Sequence, residues 1–190
     1  MLLCDAGERR NALAHGVHNF LTRDGTPPDE MRALGRAQLE AYPSVSARDA
    51  PVLDVRALGD GFEIVLPSGK VLARRVLLCT GMIDEMLPIE GFRELWGRSI
   101  FQCPYCHGWE VRGRRWAYLA RGPEATMFAP LLRSWTGDVV VLAHGAGLVD
   151  AQLAELESRG IRVEPREVVR LTGEGGQLRG IVLADGEELP

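Results

Sequence analysis

The sequence contains no apolar run near the roughly 20 residues that a membrane-spanning helix needs. Its start, Met1-Leu2-Leu3-Cys4-Asp5, has neither a basic leader segment nor a cleavage site. Both absences point away from a membrane and toward a cytoplasmic protein. Basic clusters interleaved with aromatics are missing too, and the net charge is −4, so the electrostatic footprint of a nucleic-acid binder is lacking. Cysteine is scarce, with 4 in 190 residues. That is too few for a disulfide scaffold, and it suits a reducing compartment. What remains is an ordinary globular composition, 46% hydrophobic and 25% charged, with length enough for one large or two small domains with real cores.

Two of those cysteines organise the reading. In Cys103-Pro104-Tyr105-Cys106-His107-Gly108-Trp109-Glu110, two residues separate the thiols, so one turn of backbone can bring the sulfurs to bonding distance. Such a pair can pass two electrons: a thiolate attacks a disulfide, a mixed disulfide forms, and the second thiol resolves it. Pro104 limits backbone freedom, and His107 offers a proton donor or a positive charge that favours the thiolate. Two other readings compete. A closed zinc site needs four ligands, and the remaining Cys4, Cys79, His15, His18, His107 and His144 contain no second matching pair. The pair could also be buried and inert, as lone cysteines such as Cys79 usually are.

Before the dithiol, Leu2 to Cys4 reads as a short buried strand with Asp5 at its carboxyl end. An acid there can hold a ribose hydroxyl in a nucleotide-binding unit, but the glycine-rich phosphate loop should lie roughly 20 residues earlier; otherwise Asp5 is a solvated turn residue. A long loop runs through His18-Asn19-Phe20 to Pro28, and a helix is expected from Asp29 to Tyr42 with Thr26 or Asp29 as cap. Three strands follow, Pro51 to Leu58, Gly61 to Leu66 and Lys70 to Leu78, with a hairpin at Pro67-Ser68-Gly69. The third is expected to end in Thr80-Gly81, a small-residue turn that lets a ligand approach the backbone, or is a plain turn. Met82 to Leu95 reads as a linker or crossover.

After the dithiol, strands at Arg115 to Leu119, Asp138 to Ala143 and Ile161 to Val163 alternate with helices at Ala125 to Trp135 and Leu148 to Arg159. That alternation indicates a parallel sheet with helices packed on it. Strands at Glu167 to Thr172 and Leu178 to Leu183 close the chain. The turn Ala120 to Ala125, with Gly122-Pro123-Glu124-Ala125 leading into the helix, would present helix N-terminal amides to a phosphate, although only one of the expected glycines is present. The fold class is therefore α/β. Two Rossmann-like three-layer domains are expected, with residues 1–96 forming the first, incomplete one. Residues 97–190 form the second, a parallel sheet with helices plus a β-meander.

Taken together, Asp5, His18-Asn19-Phe20, Thr80-Gly81, the Cys-Pro-Tyr-Cys-His stretch and the βαβ unit after Leu119 resemble, in order, the thioredoxin reductase-like flavoproteins. The resemblance implies an FAD domain interrupted by an NADPH domain that carries the redox cysteines, and a homodimer. It implies that Asp5 holds the adenosine ribose of FAD, that Asn19 lies along the cofactor, and that Thr80 and Gly81 pass close to it. By the same resemblance Gly122, Pro123, Glu124 and Ala125 belong to the NAD(P) site. Cys106 would face the flavin, Cys103 would meet the disulfide substrate, and His107 would serve as acid/base. His107 stands where the thioredoxin reductases proper carry an acid, which points to the branch acting on small-molecule or unassigned disulfides. The family's first strand and Gly-x-Gly-x-x-Gly loop would lie before Met1, and its closing segment after Pro190. Leu2 to Cys4 is then expected to lack a neighbour on at least one side and to be prone to association. The resemblance implies NADP, but Ala120 and Arg121 replace a glycine and its neighbour, and Ala143-His144-Gly145-Ala146 lacks the arginines that read a 2′-phosphate, so NAD is not excluded and the choice between the two is open. A cofactor-free remnant capable of thiol–disulfide exchange at most is the competing reading.

Overall fold

In the computed structural model, residues 1–120, 122–145 and 147–190 are described. Arg121 and Ala146, both named in the reading of the nucleotide turns, lie outside the described residues. The chain forms two compact units, Met1–Glu85 and Met86–Pro190.

In the first unit, β1 (Leu2–Cys4) pairs in parallel with β2 (Ser46–Arg48). The sequence reading missed β2: three residues, all exposed, have no apolar alternation to betray them. Between them runs α1 (Pro28–Leu39). Its N-cap is Pro27, and neither Thr26 nor Asp29 caps it by side chain; Pro28 at the first helical position presets the backbone angle instead. A meander follows, β3 (Asp54–Leu58), β4 (Gly61–Leu66) and β5 (Gly69–Ala73), each antiparallel to the next. The expected hairpin is there, with Leu66 opposite Gly69 across Pro67-Ser68.

The expected strand through Leu78 is not. β5 ends at Ala73, and the apolar stretch beyond it is irregular, with Leu77 87% and Leu78 70% exposed. A parallel strand forms only against a sheet neighbour that satisfies its amides and carbonyls, and among the described residues none lies beside 76–79. Thr80 and Gly81 therefore end no strand; both are exposed.

The second unit has three layers. The central sheet is parallel, with β6 (Trp116–Leu119), β7 (Val139–Leu142) and β8 (Arg162–Glu164) in that order. Before β6 come two short helices, α2 (Phe92–Leu95) and α3 (Pro104–His107). The crossovers are α4 (Ala125–Leu132) and α5 (Asp150–Ser158). The third layer is the antiparallel sheet β9 (Val168–Glu174), β10 (Gln177–Leu183) and β11 (Glu188–Leu189).

β7 is buried on both faces, and its side chains alternate between two cores. Val141 packs with Ala125, Ala129, Leu156 and Ile161 on the helical side. Val140 and Leu142 pack with Val168, Ile181 and Leu183 of the meander, and with Ile89 and Phe92. The stretch Met82 to Leu95, expected to be a linker, thus divides in two. Ile89, Phe92 and Leu95 are core residues of the second unit, and for that reason the boundary falls before Met86 rather than at 96/97.

α4 is shorter than the expected Ala125 to Trp135. Beyond Leu132 the chain tightens into three-residue turns, with Ser134 N–H donating to Leu131 O and Trp135 N–H to Leu132 O. Among the described residues, no helix is long and apolar enough to cross a membrane.

Candidate redox site

The dithiol sits on a turn built by its own sequence. Cys103 is extended, Pro104 starts α3 at a position where a missing N–H costs nothing, and Cys106 N–H donates to Cys103 O at 3.2 Å. Gly108 N–H closes the turn on Pro104 O at 2.7 Å. The result is a Cys103–Cys106 disulfide with Cα atoms 5.4 Å apart, a normal separation for a bridge. Cys106 is exposed while Cys103 is half-buried. The bridge therefore joins a half-buried residue to a solvent-exposed one.

His107 closes α3 and stacks on Phe101, with ring centroids 4.4 Å apart and planes 13° from parallel. That stack fixes the imidazole next to Cys106 in the chain. Tyr105 and Trp109 flank the exposed cysteine and are themselves 63% and 67% exposed, and the Arg112 guanidinium lies 3.9 Å over the Trp109 ring. Such a cation–π contact holds the indole flat against its neighbour. Among the described residues, no three His, Cys, Asp or Glu side chains gather as a metal-binding group.

The residues expected to serve a flavin lie on separate loops of the first unit. Asp5 accepts a hydrogen bond from Gly7 N–H at 2.8 Å on one oxygen, and from Arg32 Nε and Nη2 at 3.0 and 2.8 Å on the other. The Gly7 amide, then the Arg32 guanidinium, hold this carboxyl below the usual carboxylate range. With both Arg32 donors on one oxygen, the other oxygen keeps an acceptor lone pair beside the one that Gly7 uses. Asn19 takes a left-handed conformation, φ 61°, and its N–H donates to Asp24 Oδ1 at 2.8 Å. Gly81 has φ 67° and open space around it, and Thr80 beside it is exposed.

Because Asp5 has a depressed pKa, the ion pair contributes stability above the carboxyl's unfolded pKa, and that contribution is lost as pH falls through the lower folded value. Removing Arg32 should lessen the shift, while the Gly7 amide still holds the carboxyl down. In Arg32→Ala the Asp5 carboxyl carbon, followed by NMR through an acid titration, is expected to titrate at higher pH than in the unmodified chain. An unmoved midpoint means that Arg32 does not hold this charge.

The NAD(P) turn fits a pyrophosphate poorly. Gly122 is open, since an added Cβ would meet only Glu124 Oε2 at 3.6 Å, but that neighbour is a carboxylate. Ala125, Thr126 and Met127 N–H already donate to the Gly122, Pro123 and Glu124 carbonyls, and Pro123 has no N–H to give. Ala125 is fully buried and Ala120 nearly so. After β7, His144 accepts Val168 N–H on Nδ1 at 3.0 Å, which ties it to the meander.

Sequence reasoning missed Arg32, Phe101 and Trp135. Phe101 carried a faint signal, an aromatic two positions before the first cysteine. Arg32 and Trp135 carried none, because only the folded chain brings them to Asp5 and to the dithiol turn.

No family model matches the chain. It is 36% identical over 128 residues to the thioredoxin reductase tcpT of Claviceps purpurea, spanning 64% of this chain and 39% of that one. Its fold superposes on the oxidoreductase from Agrobacterium tumefaciens with a TM-score of 0.90 at 37% identity, over 100% of this chain and 63% of that one. The TrxB structure from Bacillus anthracis gives a TM-score of 0.92 at 34% identity, over 99% and 64%. The chain spans between 38% and 56% of the length of the first three curated relatives. In sequence and in fold, over the part of those proteins that it spans, the chain is thioredoxin reductase-like.

Proposed function

We propose that the chain carries the dithiol step of a flavin- and NAD(P)H-dependent disulfide oxidoreductase. The unit Met1–Glu85 would serve FAD, and the unit Met86–Pro190 would bear the redox pair and the pyridine nucleotide. The observation that carries this reading is the Cys103–Cys106 bridge, placed on a solvent-facing turn of a thioredoxin reductase-like fold. FAD, when bound, would supply the two electrons that open the bridge, received from NADPH or NADH. The chain's own residues do the rest. Once reduced, one thiolate attacks a small-molecule or protein disulfide, the second resolves the mixed disulfide, and the bridge re-forms as two substrate thiols leave. His107, held by Phe101, would give and take the proton beside Cys106. A dithiol of this kind cycles in a reducing compartment such as the cytoplasm, and we propose a homodimer as the working form.

A second reading draws on the nucleotide turns. The amides of Ala125, Thr126 and Met127 are already used and Glu124 stands beside Gly122, which favours a chain that performs thiol–disulfide exchange without cofactors. An absorbance spectrum with and without added FAD separates the two. Bound flavin should appear as bands between roughly 350 and 500 nm that bleach on adding NADPH or NADH. A colourless chain whose Cys103 and Cys106 still cycle with added dithiol supports exchange alone. A chain whose pair does not cycle at all rules out both.

A further inference from the structure

α3 is four residues long, lacks a side-chain cap and buries no residue of its own. A single turn of this kind is unstable in isolation, because its few hydrogen bonds do not offset the backbone entropy they fix. Something outside it must hold the two sulfurs in reach of each other. The neighbour against which it packs is Trp135. A Cβ placed on Gly108 would come within 2.9 Å of both Cδ1 and Nε1 of the Trp135 indole, and would also strike the Pro104 carbonyl oxygen. Tyr105, between the two cysteines, meets the same indole edge-on at 5.2 Å and 83°. One ring therefore touches the turn at two points, inside the Cys-x-x-Cys and just beyond it.

Trp135 is itself fixed to the sheet. Its ring stacks on Trp116 at 6.1 Å and 21°, and Trp116 begins β6 with its Nε1–H donating to Val111 O at 2.9 Å. The Trp135 carbonyl accepts Gly113 N–H at 2.9 Å, and the next residue, Thr136, donates its hydroxyl to Arg114 O. The segment that leaves the dithiol is thus tied back to Trp135 and its neighbour.

We propose that Trp135 is a positioning residue for the Cys103–Cys106 pair, and that it sets how readily the pair closes into a disulfide. This rests on reading the pair as a redox dithiol. Closure joins the two sulfurs and releases two electrons and two protons to an acceptor disulfide. Its equilibrium rises with the effective concentration of one thiol at the other, which a rigid turn keeps high. With the indole gone, the turn loses two of its contacts, the thiols explore more space, and the open dithiol gains.

The test uses the full chain equilibrated in mixtures of reduced and oxidised dithiothreitol. The dithiothreitol dithiol gives two electrons and two protons to the protein bridge and becomes its own cyclic disulfide. Alkylation and mass spectrometry of the peptide holding residues 103 and 106 then read the ratio of the two forms. Trp135→Ala is expected to shift the equilibrium toward the dithiol by about tenfold, or about 30 mV. Trp135→Phe keeps a ring against Gly108 and is expected to stay within about twofold of the unmodified chain. A role in general stability alone lowers the melting temperature without moving this ratio. A ratio unchanged in a folded Trp135→Ala chain overturns the proposal.

If the alanine chain does not fold, 5-fluorotryptophan labelling of the unmodified chain decides. The ¹⁹F resonance of Trp135, assigned by its loss in Trp135→Phe, is expected to move on reduction of the bridge more than that of Trp96. An unmoved Trp135 resonance overturns the proposal as well. A pair that stays open in every mixture overturns the redox reading of the cysteines itself, and this assignment with it.

Discussion

Cys103→Ser and Cys106→Ser are each expected to abolish complete disulfide exchange, not merely to slow it. A serine hydroxyl is no nucleophile at neutral pH without a dedicated base, and a lone thiol that has attacked a disulfide has no partner to release it. Each variant should therefore stop after half a cycle, with the surviving cysteine trapped as a mixed disulfide visible as added mass on its peptide. The two should differ in speed. Cys106 is exposed and Cys103 half-buried, so with a small disulfide the thiol left in Cys103→Ser should be trapped faster than the one left in Cys106→Ser. Family resemblance instead gives Cys103 the substrate, and the order of the two rates decides between the two assignments. Full exchange by either variant, with two substrate thiols released per chain, would sink the dithiol mechanism.

The second large effect concerns stability. Leu156 is fully buried on α5, in the cluster that Val141 of β7 shares with Ala125, Ala129 and Ile161. Two alanines already line that side, so little side chain is free to collapse into a new void. Leu156→Ala is expected to cost about 3 kcal/mol, within the usual 2–5 kcal/mol for such truncations. For a unit of this size that corresponds to a fall of more than about 10 °C in melting temperature, read by calorimetry. A fall under about 3 °C would mean that this layer is not the core of the second unit.

How far the sequence spoke depended on the range of the interaction that decides each feature. The three-layer second unit was legible, because the runs Trp116–Leu119 and Val139–Leu142 and the helices between them obey local periodicity. The dithiol turn was legible for the same reason: spacing, proline and glycine fix it within a few residues. The expected strand through Leu78 failed because an apolar run encodes willingness to pair, whereas pairing needs a neighbour that no local pattern supplies. The linker expected at Met82 to Leu95 failed in the opposite sense. Pro88 and Gly91 signalled a loop correctly, but Ile89, Phe92 and Leu95 between and beyond them bury into a core assembled from far along the chain. Asp5 was singled out by its place after β1, while Arg32, which occupies its second oxygen, became visible only once α1 lay across the strand end.

The uncovered stretch beyond β5 has one further consequence, and it concerns how two molecules meet rather than how one folds. Leu77, Leu78 and, farther on, the wholly exposed Ile83 lie between Arg74-Arg75 on one side and Asp84-Glu85 on the other. Charged residues flanking a sticky segment act as gatekeepers against stacking. Two copies laid side by side in the same direction would set arginine on arginine and acid on acid, which is repulsive. Laid in opposite directions they would match arginines with acids, except that Asp84 is already held by Arg10 within its own chain. The gate is therefore firm against one mode of self-association and half closed against the other, and added salt, which screens exposed charges, loosens it in the first case.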